Sequence, residues 1–213
     1  MNVSYEDYIE RIQKYAARDG MADIRLAREE FHQKTGEFEE DEPWFELRMR
    51  MFHDWYLMDR PGSGGLTPVE RFRIVFDGSH TDWEKNLLKH MTVTHRSAFK
   101  LIKLKDQKLL LDDLIYGGRW FVHWTPPTLG LHKGDILDAR IVYLDDRPTA
   151  GRSTVLHPRE ANESVEAIIK RSIREKMPKR ELVDHLDKMK LKLEKYSNVK
   201  IRHVYQYPKD ALL

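Results

Sequence analysis

The hydrophobic period of this chain changes near residue 92, and no other feature constrains its fold so strongly. Upstream, apolar residues recur every three or four positions. Downstream, to about residue 157, they fall into short runs rich in branched and aromatic residues, separated by turn chemistry. Residues 4–18 place Tyr5, Tyr8, Ile9, Ile12, Tyr15 and Ala16 on one helical face behind Ser4, a candidate N-cap. A second helix is predicted over 21–33, ended by "KTG". A third is expected to be capped by Asp41 or Glu42, with Pro43 in its first turn. Its stripe of Trp44, Leu47, Met51, Trp55 and Met58, flanked by Phe45, Phe52 and Tyr56, is wide enough for a central core helix. Two capping boxes follow, Thr67 to Glu70 with Pro68 at the first helical position, and Thr81 to Glu84.

Beyond the switch, "AFKLIKLK", "KLLLDDLIY", "RWFVHW", "DILDARIVYL" and "STVLHP" read as strands. The segments "DQ", "GG", "TPPTLGLHKG" and "DDRPTAGR" read as the connections between them. Four or five short strands at this spacing predict a small barrel or a strongly bent sheet. From Pro158 the helical period returns, with Ala161, Val165, Ile168, Ile169 and Ile173 on one face. After Pro178 come Leu182, Leu186, Met189 and Leu193 on another, and "VKIRHVYQYP" ends as a strand or an ordered tail. The expected fold is therefore α+β: a helical N-terminal half, a small antiparallel β-barrel-like module and a helical C-terminal extension. The corresponding regions are 1–96, 97–157 and 158–213.

A chain of 213 residues with 40% hydrophobic and 34% charged residues can bury a real core as a globular protein. No apolar run approaches the ~20 residues that span a bilayer. The N-terminus "MNVSYEDYIERIQ" is amphipathic and acidic, unlike a signal peptide. The expected address is the cytoplasm, and no membrane partner is expected. The absence of cysteine excludes disulfides, thiolate metal sites and a cysteine nucleophile. The net charge of +2 hides a gradient: residues 1–60 hold fifteen acids against nine bases, and residues 166–203 twelve bases against six acids.

The stretch "FHDWYLMDRPGSGGLTPVERF" (52–72), followed by "GLHKGDILDARIV" in a β segment, resembles a group of bacterial proteins that often carry a SEC-C zinc motif at one end. Those proteins pair a helical region, ending in a Phe-x-x-Trp helix and a "DRP…TP" loop, with a small β module. The resemblance spans roughly residues 25–157 and implies that architecture. It implies no zinc site here, because this chain has no cysteine.

Three stretches are candidates for contact with a partner, and a fourth is a turn. In "RWFVHW", alternation puts Trp120, Val122 and Trp124 on one side and Phe121 and His123 on the other. One side is expected to be core. The other either packs on helices or exposes a ring for base stacking, with Arg119, Lys100, Lys103 and Lys105 as positive surroundings. In "GLHKGDILDARIV", the glycine allows a turn and Asp135 is expected to bond nearby amides. In "DDRPTAGRS", Arg147 and Arg152 are expected in a loop, either holding an anion or simply solvated. In "IIKRSIREKMPKR", six bases stand against one acid, and Lys170, Arg171, Arg174 and Lys176 offer a side for phosphates or for an acidic protein.

Chemistry is thinly represented. His90 and His95 have no third ligand, and His53, His157 and His185 are isolated, so no metal is expected. Ser63 in "PGSGG" lies between two helices rather than between strand and helix, which a nucleophile elbow requires. No nucleophile, base and orienting group converge, and no cofactor motif is present. The leading expectation is a non-catalytic interaction or regulatory protein with a protein partner. The alternative is a nucleic-acid-binding accessory protein using Arg119, Trp120, Phe121 and the basic helix. Nothing in the sequence sets an oligomeric state.

Overall fold

The computed structural model describes residues 4–18, 21–124, 130–196 and 198–207, without the side chain of Asp77. Residues 125–129, within the expected "TPPTLGLHKG" connection, lie outside the described set, as does Pro208 of the last expected element. The fold is α+β, with N-terminal helices, a ring of five strands in one mixed sheet, and C-terminal helices. Contacts divide the chain into two units. One comprises 1–32, 38–94 and 142–147, and the other 33–37, 95–141 and 148–213.

In the first unit, helices form where the sequence closes their free N–H groups. In α1 (Tyr5–Arg18), the Asp7 amide donates to Ser4 Oγ at 3.1 Å and the Ser4 amide donates back to the Asp7 carboxylate at 3.1 Å. Helix α2 (Met21–Thr35) is tied to α3 (Phe45–Met58) through Arg60, whose guanidinium donates twice to Glu30 and once to Asp23. Tyr56 donates to the same Asp23, and burial together with that carboxylate pushes its phenol up to about 12. Helices α4 (Pro68–Val75) and α5 (Asp82–Met91) both carry the complete capping boxes expected of Thr67/Glu70 and Thr81/Glu84. The start of α3 differs from expectation. Neither Asp41 nor Glu42 caps it; the Glu42 carboxylate instead accepts from the Trp44 indole at 2.7 Å and the Glu39 amide at 3.0 Å. The helix begins only at Phe45, beyond that turn.

The second unit holds the ring. Strands β1 (His95–Lys105), β2 (Lys108–Asp113), β3 (Arg119–His123), β4 (Ile136–Leu144) and β5 (Arg147–Leu156) follow in the order β1-β2-β3-β5-β4. The β1–β2, β2–β3 and β1–β4 pairs are antiparallel. At the seam, β3 meets β5 in parallel and at one pair only, His123 with Thr149. The sheet is therefore mixed rather than wholly antiparallel, and the ring stops short of a true barrel. Inside it, Phe99, Leu101, Leu109, Leu111, Val122, Trp124, Leu137 and Ile141 form a buried cluster. On the outside, Ala98 and Ile136 join Val165, Ile168, Leu182 and Leu186 in a second cluster, under α6 (Asn162–Arg174) and α7 (Lys179–Lys195). Ile173, expected on the buried face of α6, is 43% exposed because the helix ends one residue later and turns away. The last element is not a strand but an ordered tail, with a single helical turn, α8 (Ile201–Val204), and buried Val204, Tyr205 and Tyr207.

The β4–β5 connection also departs from expectation. Only Asp145 and Asp146 form it, with φ of +49° and +58°, the geometry of a tight type I′ hairpin turn. Arg147 and Arg152 consequently lie in β5 rather than in a loop. Gly151 serves the sheet, not an anion: a Cβ there would stand 3.0 Å from the Arg140 carbonyl oxygen. The β1–β2 turn repeats the geometry, with φ of +49° at Asp106 and +58° at Gln107. A glycine enters this left-handed region without Cβ strain, so Gln107→Gly is expected to stabilise the fold by about 0.5–1 kcal/mol, measured by urea denaturation.

No helix among the described residues is long and apolar enough to cross a membrane.

Candidate functional site

The inward and outward faces of β3 settle which rings of "RWFVHW" are core. Val122 and Trp124 are buried and Trp120 is half-buried, with its ring stacked on His95 at 4.8 Å between centroids. Phe121 points the other way and is 72% exposed. Leaving a phenylalanine ring in water forgoes the ~1.5–3 kcal/mol that its burial yields.

What surrounds Phe121 follows from strand register. Phe121 lies opposite Leu110, and Leu110 opposite Lys103. The next row across the sheet is His123, Lys108 and Lys105; the row on the other side is Arg119, Asp112 and Lys100. A one-residue bulge at Ile102 makes this possible. It shifts the pairing between Leu101 and Lys103, so that Lys103 and Lys105 share the outer face while Leu101 and Leu104 turn inward. Without it, Ile102 would sit where Lys103 now does. The outer face of β1–β2–β3 thus carries an exposed ring among exposed Lys103, Lys105, Lys108 and Arg119. Lys108 was not expected as a contact; the alternation of "KLLLDD" was the available signal. Lys100 is less free than expected, since its ammonium donates to Glu166 on α6 at 2.7 Å. Asp112 lies 3.8 Å from Arg119, and Asp106 3.9 Å from Lys105, so the face keeps a net positive balance.

The other expected contacts are placed as follows. Trp120 is not on this face. Arg147 and Arg152 belong to β5, and Arg147 groups with the first unit. Lys170 and Arg174 are exposed on α6. Arg171 is taken up internally: it donates to Glu175 at 3.0 Å and its guanidinium sits 3.8 Å over the Tyr207 ring. Lys176 lies just past α6 in a left-handed conformation, φ +58°.

Buried polar groups elsewhere bond one another in local networks. Asp113 accepts from His95 at 2.6 Å and from Ser97 at 2.6 Å, but both reach the carboxylate, so no imidazole stands between acid and hydroxyl as a nucleophilic triad needs. The remaining donors to Asp113 are the Ile115 and Tyr116 amides, which close the turn after β2. His157, isolated in the sequence, bonds Asp138 and the Tyr205 hydroxyl, each at 2.9 Å, and is itself buried. Asp135 accepts from the His132 amide at 2.7 Å, as expected, and from Arg159 at 2.6 Å. Among the described residues no three His, Asp or Glu side chains are grouped to hold a metal ion.

Comparisons with protein-family models, with curated proteins and with solved structures found no match to this chain.

Proposed function

We propose that this protein is a non-catalytic binder of single-stranded nucleic acid, and that the outer face of β1–β2–β3 is its contact surface. The observation that carries the reading is Phe121, exposed on β3 in the middle row of an outer face that also carries Lys103, Lys105, Lys108 and Arg119. A base stacks on a ring of any surrounding sequence, while phosphates need cations within a few ångströms of that ring. A sheet brings the two together, because neighbouring strands stand about 4.8 Å apart and successive outward residues on one strand about 6.6 Å apart. Duplex DNA is the poorer fit. A flat face with one ring offers neither a helix nor a ribbon for the major groove, and stacked pairs cannot reach Phe121. An acidic protein surface with an aromatic side chain is the competing partner, and failure to bind single strands would redirect to it.

The test is fluorescence anisotropy of labelled single-stranded RNA and DNA at two salt concentrations. Neutralising three or four phosphates predicts a log–log salt slope of about −2 to −3. Phe121→Ala is expected to weaken binding at least about fivefold, the lower end of one lost stacking contact. Its side chain carries little of the fold, so the variant should melt like the parent. Absence of binding at low salt, or an unchanged affinity in Phe121→Ala, overturns the proposal and makes an acidic protein the next partner to seek.

A further inference from the structure

We infer that the nucleic-acid track, which rests on the reading above, continues past the sheet onto the corner between α6 and α7, so that the ligand is a strand longer than the face itself. The connection is Tyr116. It sits in the β2–β3 turn beyond Arg119, is 42% exposed, and carries the Lys179 ammonium 4.3 Å above its ring. Arg119 is two residues from Phe121 along β3, about 6.6 Å, and the turn extends the path by a similar distance. The positive surface thus passes from Lys105 and Lys108 to Phe121, Arg119, and then Lys179 at the start of α7. Both groups that the sequence marked separately, the aromatic strand and the basic helical stretch, meet at this contact.

Lys176 supplies an independent observation. After α6, the Lys176 amide donates to the Ile173 carbonyl at 3.1 Å and the Met177 amide to the Ser172 carbonyl at 2.9 Å, closing the helix with Lys176 at φ +58°. Glycine is the usual residue at this left-handed position, because any Cβ crowds the backbone there. Lys176 is exposed, held against local preference at a cost to folding, and three residues from Lys179. A phosphate passing the corner gives that ammonium its use. Arg174, exposed on the last turn of α6, widens the same patch.

The experiment compares short and long strands, oligo-uridines of about 3 and about 10 nucleotides, the range over which a small β fold fills its site. Lys176→Gly and Lys179→Ala are each expected to leave the short oligomer's affinity unchanged and to weaken the long one about three- to tenfold. The salt slope for the long oligomer should fall by about 0.7 with each lost phosphate contact. Lys176→Gly should also melt at a higher temperature, which separates lost binding from lost folding. If both variants bind the long strand like the parent while Phe121→Ala weakens both lengths, the track ends at the sheet and only this inference fails. Equal losses on both lengths overturn it as well. If Phe121→Ala changes neither length, the face itself is not the site and the inference falls with it.

Discussion

Arg96→Ala is expected to destabilise the protein by about 3–5 kcal/mol, the cost of removing one partner from a buried charge cluster. Arg96 leaves β1 on the side covered by α7, donating to Asp184 at 2.7 Å and also to Asp187. The Asp184 side chain is 9% exposed and that of Asp187 1%, so neither carboxylate recovers its water when the guanidinium goes. Arg96→Lys keeps the charge but not the fork that reaches both acids, so it should lie between parent and alanine. The informative control is the triple replacement Arg96→Leu, Asp184→Leu, Asp187→Leu. Removing all the charges together removes the unpaired-charge penalty, so the triple should be more stable than Arg96→Ala alone. Urea denaturation gives both values. An Arg96→Ala loss below about 1 kcal/mol would mean that the pair behaves as a surface contact.

Helix starts were legible because their chemistry is local. Thr67 and Glu70 are three residues apart in the sequence and bond each other in space, and so do Thr81 and Glu84. The same locality misled at Glu42, where a nearby indole and a nearby amide both competed for the carboxylate that might have capped α3. The β4–β5 turn failed for a different reason. Pro148 and Gly151 read as breakers, yet the proline is accommodated at the second residue of β5 and close approach to Arg140 requires the glycine. Partners that lie far apart in sequence left no trace at all. Nothing near Arg96 points to Asp184, 88 residues on, and nothing near His157 points to Tyr205.

The candidate face was half legible for a related reason. Strand alternation separated Phe121 from Trp120 and Trp124 without a structure, since a period of two sorts side chains whatever the register. Deciding which set was buried required knowing that Val122 and Trp124 face the Phe99–Ile141 interior. Placing Lys103 rather than Ile102 beside Leu110 required the bulge, which is a property of the pairing and not of β1 alone. Helix packing decided the rest: α6 and α7 cover the outer side of β1 around Ala98, whereas Phe121 on β3 stays open to solvent. The face is therefore a part of the ring's outer surface that α6 and α7 leave uncovered.

Asp113→Ala is expected to cost about 3–5 kcal/mol at neutral pH and to flatten the acid limb of the stability curve. Burial alone would raise this carboxyl, but bonds from His95, Ser97 and the Tyr116 and Ile115 amides outweigh it and hold its pKa below the ordinary range. The sign follows from that depression. Above the unfolded value of about 4, both states are ionised and the full stabilisation is present. As pH falls through the unfolded and then the folded pKa, the unfolded chain binds the proton first, and the contribution is lost. Asp135, held low by Arg159 and the His132 amide against its own burial, adds to the same limb. The parent should thus lose stability as pH falls below about 4, and Asp113→Ala should lose less over that limb because its share is already gone. Asp113→Asn keeps one carbonyl for the turn amides and should be milder than alanine at pH 7 while flattening the acid limb equally. Urea midpoints across the acid range decide it. A variant that parallels the parent at every pH would show that the carboxylate is not ionised against those four donors, and the turn that presents Tyr116 would then owe its shape to backbone pairing alone.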